Sequence, residues 1–226
     1  MSAMYIRELV LMALCKEGGS ARFADIRRII KDERPHLDEN SLPQRISYHL
    51  RRLIEMGIVE KVSEGMYRLR KFSNCVKFWK LCPKFSLITA LGKANSRKIS
   101  EPRIALDLLK KYLRGKLGRE VDIKRVIIIT TKEALQTWSE EELDRLARIA
   151  DMKIVPEDYV KNLHKIEGII QNKVEELSRD TIPIIDCTPM TKIYTIATIR
   201  IAEKEDLPVI YVYEPNRELI FIMELP

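Results

Sequence analysis

No stretch of this 226-residue chain reaches the ~18–20 consecutive apolar residues that a membrane-crossing helix needs. The first residues also lack the charged start and small-residue cleavage site of a secretory signal. A cytoplasmic protein with no membrane partner is therefore expected. Cys15, Cys75, Cys82 and Cys187 form no CxxC pair, and His36, His49 and His164 are scattered. Zinc ligands normally come in pairs two to five residues apart, so no metal site is expected and the cysteines read as buried free thiols. Neither GxGxxG nor GxxxxGK[ST] occurs, which disfavours a dinucleotide enzyme or a P-loop NTPase. No cofactor follows from the sequence, and no residue is assigned as catalytic.

What is present is a soluble, charged composition, 46% hydrophobic and 32% charged, with a net charge of +7. Residues 1–72 hold 14 Lys and Arg against 10 Asp and Glu; residues 73–226 hold 26 against 23. The excess is denser at the front, which fits a polyanionic partner there. The abundance of charged residues and Ile also hints at a thermophile.

The front third centres on Ser41–Gly57. Leu42, Ile46, Leu50 and Leu53 recur at helical spacing, so one stripe faces a core. Ser41 is the N-cap candidate, Pro43 suits the first turn, and Gly57 suits a left-handed stop. The other face carries Gln44, Ser47, Tyr48, Arg51 and Arg52, side chains that bond phosphates and base edges. Two short strands follow, Ile58–Val62 and Met66–Arg70, around the Gly65 turn. Helices are expected before them over Met4–Lys16 and Arg22–Lys31. The run "ISYHLRRLIEMGIVEKVSEGMYRLR" resembles the recognition helix and wing of winged helix-turn-helix regulators of archaea and bacteria. The resemblance implies double-stranded DNA as partner. Gln44, Ser47, Tyr48 and Arg51 would then read bases, and Arg45, Arg52 and Arg68 would meet the backbone. Arg22, Arg27 and Arg28 of the second helix become phosphate candidates.

Residues 72–83 read as a linker joining a DNA-binding unit (1–71) to a second unit (84–226). There strands alternate with helices. Strands are expected at Phe85–Leu91, Lys124–Thr131, Lys153–Val155, Ile182–Ile185, Val209–Tyr213 and Glu218–Met223. Helices fall at Pro102–Leu117, Glu140–Ala150, Tyr159–Leu177 and from Lys192 to about Glu203. Ser139 and Glu142 form a candidate capping box. The alternation implies a three-layer α/β domain with a mainly parallel sheet and an antiparallel edge hairpin.

In open α/β sheets ligands bind beyond the carboxyl ends of the strands, near helix N-termini. Three loops lie there: Gly92-Lys93-Ala94-Asn95, Thr130-Thr131-Lys132, and Asp186 to Lys192 with Thr188 and Thr191. Their hydroxyls, amides and lysines suit a phosphate-rich ligand, although Thr188 and Thr191 also suit helix capping. The segments "ITALGKANS", "VIIITTKEA" and "DCTPMTKIYTIATIRIAEKEDLPVIYVY" resemble CRISPR-associated Rossmann fold (CARF) domains. The resemblance spans residues 84–226 and implies a Rossmann-like homodimer that binds cyclic oligoadenylate or another anionic nucleotide. Gly92, Lys93, Asn95, Thr130, Thr131, Asp186, Thr188, Thr191 and Lys192 are the ligand candidates. Pro189-Met190 stands where the family usually has a Gly pair, and proline donates no N–H. A metal-independent ring nuclease using Thr191 and Lys192, and a winged-helix regulator with an unrelated effector, are the alternatives.

Overall fold

A computed structural model describes residues 5–225 apart from 82, 83, 96, 190 and 214. The chain divides into two compact units, residues 1–83 and 84–226. Cys82 and Met190 therefore lie outside the described residues.

The first unit opens with α1 (Ile6–Lys16), followed by β1 (Ser20–Arg22), α2 (Phe23–Glu33), α3 (Leu42–Glu55), β2 (Val59–Ser63) and β3 (Met66–Leu69). A 3-10 helix (Phe72–Phe78) closes it. The strands form an antiparallel sheet in the order β1-β3-β2. In α3, Leu42, Ile46, Leu50 and Leu53 are buried, as their spacing requires. Gly57, at φ +70°, ends the helix, and the Ile58 N–H bonds the Leu53 carbonyl to close the turn. The start differs from the expectation. Ser41 does not cap with its side chain; Asp38 instead accepts from the Ser41 and Asn40 N–H groups. The sequence pattern carries no sign of strand β1, because its partner β3 lies more than 40 residues on, with Ser20 opposite Arg68.

The cysteine expectation is overturned. Cys15, in the last turn of α1, and Cys75, in the 3-10 helix that packs on α1, are joined by a disulfide across 60 residues. Both are fully buried. Sequence spacing carries no signal for such a pairing. Cys187 is free and buried.

The second unit runs β4 (Phe85–Leu91), α4 (Glu101–Leu117), β5 (Ile123–Thr130), α5 (Lys132–Leu135), α6 (Glu140–Ala147) and β6 (Asp151–Ile154). It continues with α7 (Glu157–Val160), α8 (Leu163–Leu177), β7 (Ile182–Asp186), α9 (Lys192–Glu205), β8 (Val209–Tyr213) and β9 (Glu218–Met223). The six-stranded sheet has the order β6-β5-β4-β7-β8-β9, parallel except for the final β8–β9 pair. This is the doubly wound order of Rossmann-like folds. Strand β4 is buried throughout, the apolar pattern of a central parallel strand. Its alternate side chains Ile88 and Ala90 join a core with Ile166, Ile170 and Val174 of α8 and Ala197 and Ile201 of α9. On the other face α4 packs against β4, β8 and β9, with Tyr112 against Phe221 at 4.6 Å.

Two local expectations are corrected. The helix expected over Tyr159–Leu177 is broken, because Asn162 accepts from the Lys165 N–H and starts α8 afresh. Ser139 does cap α6, but Glu142 does not complete a capping box. Its buried carboxylate accepts instead from the Ser100 N–H (3.0 Å), the Ser100 hydroxyl (2.8 Å) and Arg103. Burial pushes this carboxyl up, but the bonds from Ser100 and Arg103 outweigh it and hold it below the ordinary value. Glu142→Ala would strand the Ser100 amide and Arg103, each a loss of about 1–3 kcal/mol. A destabilisation of about 3 kcal/mol in urea unfolding is expected, and an unchanged midpoint would refute this bracing of α4 by α6.

Candidate functional site

Strands β4, β5 and β7 lie side by side and parallel, so their loops leave the sheet at one edge. The strand order reverses at β4, which opens a crevice between the loops after β4 and β7. A cavity of about 370 Å³ occupies that crevice. Gly92, Lys93 and Asn95 line it from the β4 loop, Thr131 from the β5 loop, and Thr188, Pro189 and Thr191 from the β7 loop.

The β4 loop is held from outside the sheet. The Ala94 N–H donates to the Thr137 hydroxyl at 2.9 Å, and the Trp138 indole donates to the Gly92 carbonyl at 2.8 Å. Asn95 adopts φ +43°, a left-handed conformation that asparagine tolerates better than most residues. Lys93 and Asn95 are exposed.

The threonine hydroxyls have bonds of their own. Thr131 caps α5 by accepting from the Ala134 N–H. Thr191 caps α9 by accepting from the Tyr194 N–H and donates to the Val160 carbonyl. Thr188 donates to Asp186 at 2.5 Å and accepts from the Val212 N–H at 2.7 Å. Of the three, Thr191 stands at a 14-residue helix whose first N–H groups point outward.

The candidate residues thus separate. Gly92, Lys93, Asn95, Thr131, Thr188 and Thr191 share the cavity. Thr130 is fully buried and donates to the Leu91 carbonyl. Asp186 is fully buried beneath the floor, bonded by Thr188 and by the Thr89 hydroxyl at 2.7 Å. Lys192 is exposed at the first turn of α9 and is not part of the cavity wall. Burial raises the Asp186 carboxyl above its ordinary value, against the pull of those hydrogen bonds. Burial, then the neighbouring Asp186, push the Cys187 thiol up to about 12, which leaves it inert.

The sequence reading missed three charged residues of the wall, Arg97, Glu101 and Glu157. They come from the entries to α4 and α7, which fold over the strand tips, and no motif flags them. Arg97 and Glu101 form an ion pair. Among the described residues, two cations and two carboxylates therefore line the cavity, together with amide and hydroxyl groups.

In the first unit, α3 turns Gln44, Arg45, Ser47, Tyr48, Arg51 and Arg52 to solvent. Among the described residues, the Gln44, Arg45, Ser47 and Arg51 side chains make no hydrogen bond or ion pair. Arg52 is tied to Glu55 at 2.9 Å, and Arg68 to Glu60 at 2.6 Å. Arg27 pairs with Glu39, and Arg28 with Glu17 and Asp25. Tyr5 and Arg7 at the start of α1 meet Tyr48, His49, Arg52 and Met56 in a shallow groove that the sequence did not reveal. Burial, then Arg7 and Arg45, hold the His49 imidazole below its ordinary value, so it adds no charge at neutral pH.

The sequence matches no protein-family model, and no curated protein matches it. Solved structures similar to it include Can2 from Sulfobacillus thermosulfidooxidans in complex with cyclic tetra-adenylate (15% identity, TM-score 0.44). Csm6 from Enterococcus italicus bound to cyclic hexa-2′-fluoro-hexa-dAMP is similar at 11% identity and TM-score 0.43. Protein VC1899 from Vibrio cholerae is similar at 14% identity and TM-score 0.42. These matches cover 63%, 61% and 61% of this chain and 36%, 36% and 33% of the respective structures. The chain thus spans about a third of their length. Among the described residues, no helix is long and apolar enough to cross a membrane.

Proposed function

We propose that the protein is a homodimeric DNA-binding transcription regulator whose CARF-type unit senses a cyclic oligoadenylate or a similar nucleotide. The observation that carries the reading is the cavity at the strand-order reversal. It brings Lys93, Asn95 and Arg97 beside the N-terminus of α9, an arrangement suited to phosphodiesters. Ligand pockets run from about 300 to 1,000 Å³. At about 370 Å³ this cavity takes part of a cyclic oligonucleotide, which favours two copies sharing one ring across a two-fold.

The first unit acts as a winged helix, with α3 in the major groove and the β2–β3 hairpin as wing. The exposed polar face of α3, on which Gln44, Arg45, Ser47 and Arg51 have no partner among the described residues, supports this reading. In a two-fold dimer the operator is a palindrome with half-sites about one helical turn apart, or a multiple of it. Ligand binding alters the relation of the two DNA-reading heads, with coupling on the order of 1–3 kcal/mol.

Two substitutions test the DNA half. Arg51→Ala should weaken operator binding by ~1–3 kcal/mol and relax specificity at one base pair, as loss of a base contact does. Arg45→Ala should weaken binding to all sequences and reduce the salt slope by about one. Binding measured over a salt series checks both, and unchanged affinity and slope in both variants would refute the groove assignment.

A ring nuclease is the second reading, favoured by Glu101 and Glu157 on the cavity wall, carboxylates able to serve as a general base. Chromatography of cyclic tetra- and hexa-adenylate after incubation separates the two. Intact rings that remain bound support the sensor, and linear products support the nuclease.

A further inference from the structure

The first residue of α4 meets the cavity with half its bonding capacity unused. Glu101 lines the wall and is 6% exposed. Its Oε1 takes the Arg97 guanidinium, while Oε2 is buried with no hydrogen-bond partner among the described residues. Glu142, the other buried carboxylate at this helix end, shows how the fold satisfies a purely structural group. Ser100 occupies one of its oxygens twice, and Arg103 occupies the other. A bare buried acceptor is costly, and of the bare buried side-chain atoms among the described residues Glu101 Oε2 alone belongs to the cavity wall, so it points to a donor that arrives from outside the chain.

The charge on the wall narrows the donor's source. Lys93 and Arg97 are matched by Glu101 and Glu157, a balance that gives a polyphosphate little net attraction. It suits a ligand carrying one charge per phosphodiester and N–H or O–H donors between the charges. We propose that Glu101 is a specificity-determining residue whose Oε2 accepts a hydrogen bond from the nucleoside part of the ligand, a ribose hydroxyl or an exocyclic amine. The inference rests on the reading of this cavity as a nucleotide site. Arg97, 38% exposed over the carboxylate, is the group a phosphate can draw aside to admit that donor.

The test is Glu101→Gln in the full chain, titrated calorimetrically with cyclic tetra-adenylate, its 2′-deoxy analogue and cyclic tetra-inosinate. Loss of a charged acceptor should weaken cyclic tetra-adenylate binding about 10- to 100-fold. The deficit should vanish with the 2′-deoxy ring if the donor is the ribose hydroxyl, and with the inosinate ring if it is the amine. Equal binding by variant and wild type, or a deficit common to all three rings, would overturn the inference alone. A wild-type protein that binds none of the rings would overturn the nucleotide reading and this inference with it.

Discussion

Reducing the Cys15–Cys75 bridge is expected to lower the stability of the first unit by about 4 kcal/mol. The bond closes a span of 60 residues, and the chain-entropy relation gives that magnitude for a loop of this length. Most of the unit, from the last turn of α1 to the 3-10 helix, lies between the two cysteines, so the reduced chain gains freedom in α2, the sheet and α3 together. For a unit of about 80 residues the loss corresponds to a fall in melting midpoint of roughly 15–30 °C. Both sulfurs are fully buried, so a reductant reaches them only when the unit opens. The reduced state is best prepared in denaturant and refolded under reductant. The two tryptophans make the measurement local. Trp79 is buried in the first unit and Trp138 in the second, so Trp138→Phe leaves fluorescence that reports the first alone. Coincident unfolding curves with and without reductant would refute the bridge's contribution.

That the bridge escaped the sequence reading shows what a one-dimensional pattern encodes. Segments whose fate is set within a few residues were legible. Phe85–Leu91, Val209–Tyr213 and Glu218–Met223 have the bounds expected of them, because each apolar run is flanked by residues that break it. The mainly parallel sheet followed from strands alternating with helices, and the edge hairpin from the four residues between the last two strands. Features decided by a distant partner were not legible. Strand β1 exists because β3 offers it a ladder, and Glu142 leaves its capping position because Ser100 and Arg103 stand within reach. The break at Asn162 was hidden by apolar positions that continue the same helical stripe on both sides.

The cavity follows the same division. Its strand-tip residues could be found because the rule for open α/β sheets names the place and the loops can be counted off. Arg97, Glu101 and Glu157 arrive with helices that close over the tips, and their proximity to Lys93 and Thr191 is a product of packing. In the sequence Asp186 reads as the start of a polar, ligand-facing loop. In the folded chain it ends β7 instead, and strand alternation turns it inward to Thr89.

That inward carboxylate leads to the second large effect. Asp186→Ala should destabilise the α/β unit by on the order of 3–5 kcal/mol, because three donors converge on it: the Thr188 N–H, the Thr188 hydroxyl and the Thr89 hydroxyl. The hydroxyls can turn elsewhere; the Thr188 amide cannot. Thr188 also receives the Val212 N–H, so the change should loosen the β7 loop from β8 and weaken ligand binding as well. Asp186→Asn isolates the charge. The folded carboxyl lies above its ordinary value because burial outweighs the three hydrogen bonds. The folded state therefore holds the proton more tightly than the unfolded chain. Its contribution is complete below the ordinary carboxylate value and is lost as pH rises through the folded value. The stability of wild type relative to the Asn variant should accordingly fall as pH is raised from about 4. Urea unfolding followed by Trp138 fluorescence in a Trp79→Phe background measures that difference, and parallel pH curves for the two proteins would refute a buried, titrating Asp186.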